Sequence, residues 1–250
     1  MLTRIFLDGK LRTVDLTKPI DISIPLQDGE KNPTAWYIDP PKIEPFVEKK
    51  WIAKVSEGAS INFNNIFFNP HGHGTHTECV GHITEEFYSI NDCLKQFMFS
   101  AQLITVAPES KGEDAIITLK QIKSQLNEKP AEALIIRTLP NSRGKESRKW
   151  SHTNWPYLME DASEFIKKCG IKHLLIDLPS VDREKDDGVL ASHNAFWNTS
   201  GKLRLDATIT EMIFVPHKVK DGHYLLNLQI TSFVNDASPS KPVLYAYQEY

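Results

Sequence analysis

Between Asn69 and His82 the chain reads Asn-Pro-His-Gly-His-Gly-Thr-His-Thr-Glu-Cys-Val-Gly-His, which places His71, His73, His76 and His82, four of its nine histidines, in one short stretch. Imidazole nitrogens and carboxylate oxygens together suit zinc, manganese or iron, and a catalytic centre uses a few such ligands while keeping one position open to water. The step from His76 to Glu78 puts both side chains on one side if the backbone is extended. His82 lies four residues further on, where a turn at Gly81 swings it toward the same centre. Gly72, Gly74 and Gly81 allow the tight backbone that such a loop needs. His71 alone reads as solvent-facing or as a support behind the ligands. Cys79 reads as packing beside the site rather than as a nucleophile or ligand.

Two distant segments offer completing groups. Leu178-Pro-Ser-Val-Asp182 follows a buried-looking strand, with His193 shortly after it, and Glu211 stands at the start of a hydrophobic strand within Thr208–Ile213. A carboxylate entering such a strand is costly unless it is paired or bound to metal. The competing readings are a water-facing Glu on an edge strand and a surface histidine loop that picks up metal adventitiously. Ser180, Asp182 and His193 have no spacing that supports a nucleophilic triad. No HExxH helix, GxSxG elbow, P-loop or GxGxxG turn occurs. His152, His173, His217 and His223 lack comparable surroundings and receive no role.

These groups need a scaffold, and the apolar pattern predicts a mixed α/β one. Thr13–Leu16, Asp21–Leu26, Asn62–Phe68, Gln102–Val106, Ala133–Thr138, His173–Asp177, Met212–Val215 and Tyr224–Ile230 are of strand length. Thr118–Leu126 is expected to be a helix, with Leu119, Ile122 and Leu126 on one face and Thr118 with Gln121 as a capping box. Leu158–Cys169 is a second, stopped by Gly170. The proline-rich tract Leu26–Lys54 reads as irregular, an active-site arm or a subunit contact. One domain over residues 1–250 is the economical division.

The 250 residues are 40% hydrophobic and 24% charged, an ordinary globular balance. A net charge of −3 gives no reason to expect nucleic acid or an anionic membrane as a partner. The three cysteines form no CxxC pair, which points to reduced thiols in a cytoplasmic setting. The opening residues contain no long apolar run, so they read as neither signal peptide nor membrane anchor.

The stretch from Gly74 to His82 resembles the signature of the cyclase family, which includes bacterial kynurenine formamidases and isatin hydrolases and reads His-x-Gly-Thr-His-x-Asp-x-x-x-His. The likeness extends along the chain. Val14–Ile20 is similar to the family's opening strand and Ile176–Asp182 to the strand before its second ligand segment. His193 falls at the distal histidine, Glu211 at the late glutamate, and Asn235–Pro239 at the closing Asp-Gly-Ser-Pro turn. The resemblance implies a swivelling β/β/α fold, assembly as a homodimer or homotetramer, and a zinc or manganese centre. His76 and Glu78 would serve one metal position, with His82, His193 and Glu211 around a second or shared one. Two departures stand out. The family's first histidine falls on Gly72, for which His73, in preference to His71, is the expected substitute. The family's aspartate is here Glu78, a longer arm.

The activity these readings imply is metal-assisted hydrolysis of a small amide, such as an aryl formamide or a cyclic amide. A bound divalent ion lowers the pKa of water from about 15.7 toward about 7, and His82 or His193 would shuttle the proton to the leaving nitrogen. If both are full ligands, Glu78 or Glu211 is the base. Phe67, Phe68, Trp36 and Trp197 are candidates for an aromatic-substrate pocket, against ordinary core or subunit contact. The rival functions are a non-catalytic small-molecule-binding protein with a degraded centre, and a metal-dependent cyclase or dehydratase.

Overall fold

The computed structural model describes residues 1–7, 9–126 and 131–248. Its main sheet contains ten strands: β1 (Leu2–Leu7), β2 (Lys10–Asp15), β3 (Ile20–Asp21), β4 (His76–Glu78), β5 (Met98–Val106), β6 (Ala133–Thr138), β7 (His173–Ile176), β8 (Thr208–Glu211), β9 (Gly222–Ile230) and β10 (Ala237–Gln248). Their order is β1-β2-β10-β9-β5-β6-β7-β8-β4, and β4 pairs back onto β10, so seven strands close into a barrel-like ring. Strands β5 to β8 run parallel to one another. β4 closes the ring antiparallel to β8 on one side and to β10 on the other.

The central strands are largely apolar on both faces, since a strand covered on both faces needs no polar side. Ile104 and Val106 of β5, Leu134 and Ile136 of β6, and Leu174 and Ile176 of β7 pack outward with residues of three helices, α2 (Leu119–Gln125), α3 (Glu160–Lys168) and α4 (Ala191–Trp197). Their neighbours Leu103, Ala133, Ile135 and Leu175 pack with Leu226, Leu228 and Leu244 in a second cluster inside the ring. The inner cluster also takes Ile90 of the short helix α1 (Ile90–Cys93). Each such side chain contributes about 1.5–3 kcal/mol when fully buried.

The local signals for the helices are present. Thr118 accepts from the Gln121 N–H while the Gln121 side chain accepts from the Thr118 N–H, the expected capping box. Gly170 follows α3 at φ 80°, a left-handed conformation that favours glycine.

Two expected strands differ. Only Ile20–Asp21 pairs in the Asp21–Leu26 stretch; beyond it Ile24 N–H bonds the Thr75 hydroxyl rather than a neighbouring strand. The strand near Glu211 precedes it rather than follows it, because Met212 adopts φ 54° and breaks the ladder. Met212–Val215 is apolar because it is buried, not because it is paired. The arm expected to be irregular carries two small hairpins, Lys42–Pro45 with Asn64–Phe67 and Val47–Glu48 with Trp51–Ile52. No described helix is long and apolar enough to cross a membrane.

Candidate metal centre

The short strand β4 is the axis of the site. Its three residues are buried, and their register sets Glu211 opposite His76 on one side and Ala237 opposite Glu78 on the other. With period-2 alternation, His76 and Glu78 share a face while Thr77 points away, where its hydroxyl meets that of Thr210 at 2.7 Å. The loop after β4 closes at Gly81, whose Cβ, if present, would stand 2.3 Å from the Tyr88 carbonyl oxygen. Only glycine permits that approach, and the turn carries His82 back over Glu78.

Four imidazoles gather around Glu78. His193 Nε2 is 3.1 Å from Glu78 Oε1, and His71 Nδ1 and His82 Nε2 are 3.1 and 3.7 Å from Oε2. The His76 Nε2 atom lies 3.5 Å from Glu211 Oε2. Glu211 Oε1 accepts from the Val181 N–H at 2.9 Å and lies 3.8 Å from His193 Nε2. At the outer edge Asp236 Oδ2 meets His71 Nε2 at 2.8 Å and His82 Nδ1 at 3.3 Å. The rings of His71 and His82 stack at 4.2 Å. Behind the site Asp182 Oδ2 holds His193 Nδ1 at 2.6 Å, and Trp197 lies against the same ring at 5.3 Å.

Charge dominates this cluster. Burial lowers the proton affinity of His193, yet Asp182 and Glu78 outweigh it and hold its pKa well above the ordinary value. His71 is likewise opposed by burial but pushed up to about 10 by Asp236 and Glu78. Glu78 is fully buried, which alone would raise its pKa; His82, His193 and His71 bring it well below the usual carboxylate range.

One buried atom inside the cluster, His76 Nε2, has no hydrogen-bond partner, and Glu78 Oε2 has only the His71 and His82 nitrogens beside it. His76 shows why this matters. Its Nδ1 lies 2.9 Å from the Gly74 carbonyl, which can only accept, so Nδ1 carries a proton; in the neutral ring Nε2 then presents a lone pair to the Glu211 carboxylate. Two facing acceptors repel unless a cation stands between them. Ligand atoms of His71, His76 and Glu78, of Glu78, His82 and His193, and of His71, His82 and Asp236 each lie close enough together to share one ion. The donor set is the nitrogen and carboxylate-oxygen mixture that zinc and manganese accept.

His76, Glu78, His82, His193 and Glu211 are thus brought together from three parts of the chain. His73 is not, and the expectation that it replaces the family's missing ligand is corrected. Its Nδ1 accepts from the Asn69 N–H and its Nε2 donates to the Asp39 carbonyl, both at 2.8 Å, which leaves no nitrogen free. The chain turns over residues 69–73, with the Gly72 and His73 N–H groups both directed at the Asn69 carbonyl. Alternation therefore fails there, and His71 enters the cluster instead. Ile38 fills the space a side chain at Gly72 would need, with Cδ1 2.4 Å from the ideal Cβ.

Asp182 and Asp236 were not singled out as site residues. Asp236 is signalled only by the closing turn, and Asp182 only by the rejected triad. In that triad the Ser180 hydroxyl accepts from the Asp182 N–H and supplies no nucleophile to His193. Of the aromatic candidates, Trp197 is fully buried core and Trp36 packs edge-on against Trp155. Phe67 is exposed, and Phe68 packs near Phe233.

A closed, parallel-cored α/β ring with histidines and carboxylates on its shortest strand defines the class of scaffold, and the groups gathered there could hold a cation. The profile described as Putative cyclase matches residues 14–183, and the chain belongs to that family. A kynurenine formamidase of Bacillus cereus (strain ATCC 14579) is 28% identical over 229 residues, 90% of this chain and 96% of that protein. Among solved structures, an isatin hydrolase bound to the product analogue thioisatinate superposes with a TM-score of 0.68 at 15% identity, covering 92% of this chain and 93% of the other. One described as a potential metal-dependent hydrolase with cyclase activity gives 0.66 at 18% identity, covering 93% and 99%.

Proposed function

We propose that this chain is a divalent-metal hydrolase of small amides, acting on an aryl formamide or a cyclic amide. The observation that carries the reading is the convergence of His71, His76, Glu78, His82 and His193 ligand atoms around a buried His76 Nε2 that has no hydrogen-bond partner. The names of its relatives, kynurenine formamidase and isatin hydrolase, support the amide class.

His71, His76, Glu78, His193 and Glu211 would hold zinc or manganese, with His71 standing in for the ligand absent at Gly72. A cation bound there supplies Lewis acidity toward water and a substrate carbonyl. The remaining work falls to the chain itself. Asp182 fixes the His193 ring through Nδ1, and the Val181 N–H fixes Glu211, so neither side chain has to be ordered during the reaction. His82 is the most open of the four imidazoles, with 32% of its side chain accessible. It is therefore placed to pass a proton to the leaving nitrogen, oriented by Asp236 through Nδ1. With both nitrogens of His193 engaged, Glu211 takes the complementary proton. The substrate is a small molecule, and the chain acts as a cytoplasmic homodimer or homotetramer.

The test is hydrolysis of N-formylkynurenine, simple aryl formamides and isatin by protein loaded with zinc or manganese. Turnover of at least one is expected, with kcat lowered about 10²–10⁴-fold in His82→Ala and lost in His76→Ala and His193→Ala while the fold persists. Full activity in the last two variants, or no turnover of any of these substrates with either metal, would refute the assignment.

A further inference from the structure

The turn that carries His71 is closed on itself and fastened to one neighbouring segment. Within it the Asn69 carbonyl accepts from the Gly72 and His73 N–H groups, and the Asn69 side chain accepts from the His71 N–H at 2.9 Å. Three bonds then join the turn to residues 32–39. The Ala35 N–H donates to the Gly72 carbonyl and Asn32 Nδ2 to the His73 carbonyl, both at 2.9 Å. The third is made by a side chain of the turn, from His73 Nε2 to the Asp39 carbonyl at 2.8 Å. Because His73 Nδ1 accepts from the Asn69 N–H, the neutral ring has one tautomer that makes both of its bonds, with the proton on Nε2.

Residues 32–39 are in turn held by the body of the protein. The Thr34 N–H donates to the Arg148 carbonyl at 3.1 Å, and the Trp150 N–H to the Thr34 carbonyl at 2.8 Å. The Tyr37 N–H meets the Ser151 hydroxyl and the Tyr37 hydroxyl meets Glu184 Oε1, both at 2.8 Å. Trp36 and Tyr37 stand at φ 61° and 60°, a left-handed conformation that such residues keep only where their surroundings fix it. The segment is therefore a firm support for what is clamped to it.

We infer that His73 is a positioning residue for His71, clamping the turn to the Asp39 carbonyl so that the His71 ring is in place before any ion arrives. Glu78 and Asp236 hold that ring at its far end, at 3.1 and 2.8 Å, and the ring stacks on His82. His73 fixes its root. Without the clamp the turn can lift from residues 32–39, and His71 has to be ordered again at each binding event, a cost that weakens affinity. This consequence for binding rests on the proposed role of His71 as a ligand; the position of the ring does not.

The test compares the full-length wild type with His73→Gln and His73→Asn. The Gln amide reaches as far as Nε2 and keeps the bond to Asp39, whereas the Asn amide reaches only as far as Nδ1 and loses it. In metal-stripped protein, nuclear Overhauser contacts between the His71 and His82 rings are expected in the wild type and the Gln variant and lost in the Asn variant. Zinc affinity, read by competition with a chelator, should be near wild type for Gln and about tenfold or more weaker for Asn. Ring contacts kept in the Asn variant, or lost equally in both, would overturn the inference. A wild-type His73 ring with its proton on Nδ1, read from nitrogen chemical shifts, would overturn it whether or not the variants fold. Expected ring contacts with no zinc bound by the wild type would refute the ligand role of His71 and uphold its positioning.

Discussion

Two buried ionic clusters sit on the same ring of strands, and they differ in whether their hydrogen bonds close. Where β6 and β7 end, Asp177 accepts from the Thr138 N–H, the Thr138 hydroxyl and Lys145 Nζ, the last at 2.7 Å. Lys145 spends its other two protons on the Thr138 carbonyl and hydroxyl, both at 2.8 Å. Each charge answers the other and the donors match the acceptors. In the cluster around Glu78 the groups do not match in this way: His76 Nε2 is buried beside Glu211 Oε2 with no hydrogen-bond partner. A closed cluster holds the fold; the open one is where the proposed cation would sit.

The largest effect on stability should come from breaking the closed cluster. Lys145→Met strands the Asp177 carboxylate in the core and should cost about 3–5 kcal/mol, read as a lower urea midpoint. Metal bound per folded chain should stay as in wild type; a loss of metal would show that the two clusters are not separate.

A buried imidazole outside both clusters sharpens the contrast. His173 is 3% exposed, and its Nδ1 lies 2.9 Å from the Thr208 hydroxyl. Burial, with Lys172 adding to it, pushes its pKa down to about 3. It is neutral when folded and gains a proton more readily when unfolded, so its contribution is complete above its ordinary value near 6.5 and is lost as pH falls from there toward 3. Between pH 7 and pH 4 the metal-free wild type should lose about 3 kcal/mol more than His173→Gln. Equal losses in urea unfolding would contradict this burial effect.

A smaller effect is expected where the open cluster is only loosened. Asp182→Asn keeps the shape behind His193 but removes the charge that holds its ring. Metal affinity should fall about 10–100-fold, measured by competition with a chromophoric chelator, with little change in thermal midpoint. A fall in stability without a fall in affinity would place Asp182 with the closed cluster instead.

The same contrast separates what was legible in the sequence from what was not. Local rules held: the Thr118–Gln121 capping box needs only four residues, and His76 and Glu78 share a face because a strand alternates. Rules that assume a strand failed where the chain turns, so His73 was expected in the place that His71 takes. Met212–Val215 misled for a related reason, since burial makes a segment apolar whether or not it pairs. Asp236 enters the site because β10 returns to pair with β4, a contact between residues 76–78 and 237–239 that no local spacing reveals. Asp182 required knowing that α4 follows it closely enough for its Oδ1 to accept the Ser192 N–H.

Whether the open cluster takes a divalent cation is read by titrating metal-stripped protein with zinc and with manganese in a calorimeter, wild type beside His76→Ala. Saturable, near-stoichiometric binding of at least one of the two ions to the wild type is expected, with its loss in the variant while both proteins stay folded. Equal binding by the two proteins, or none by either, would contradict it.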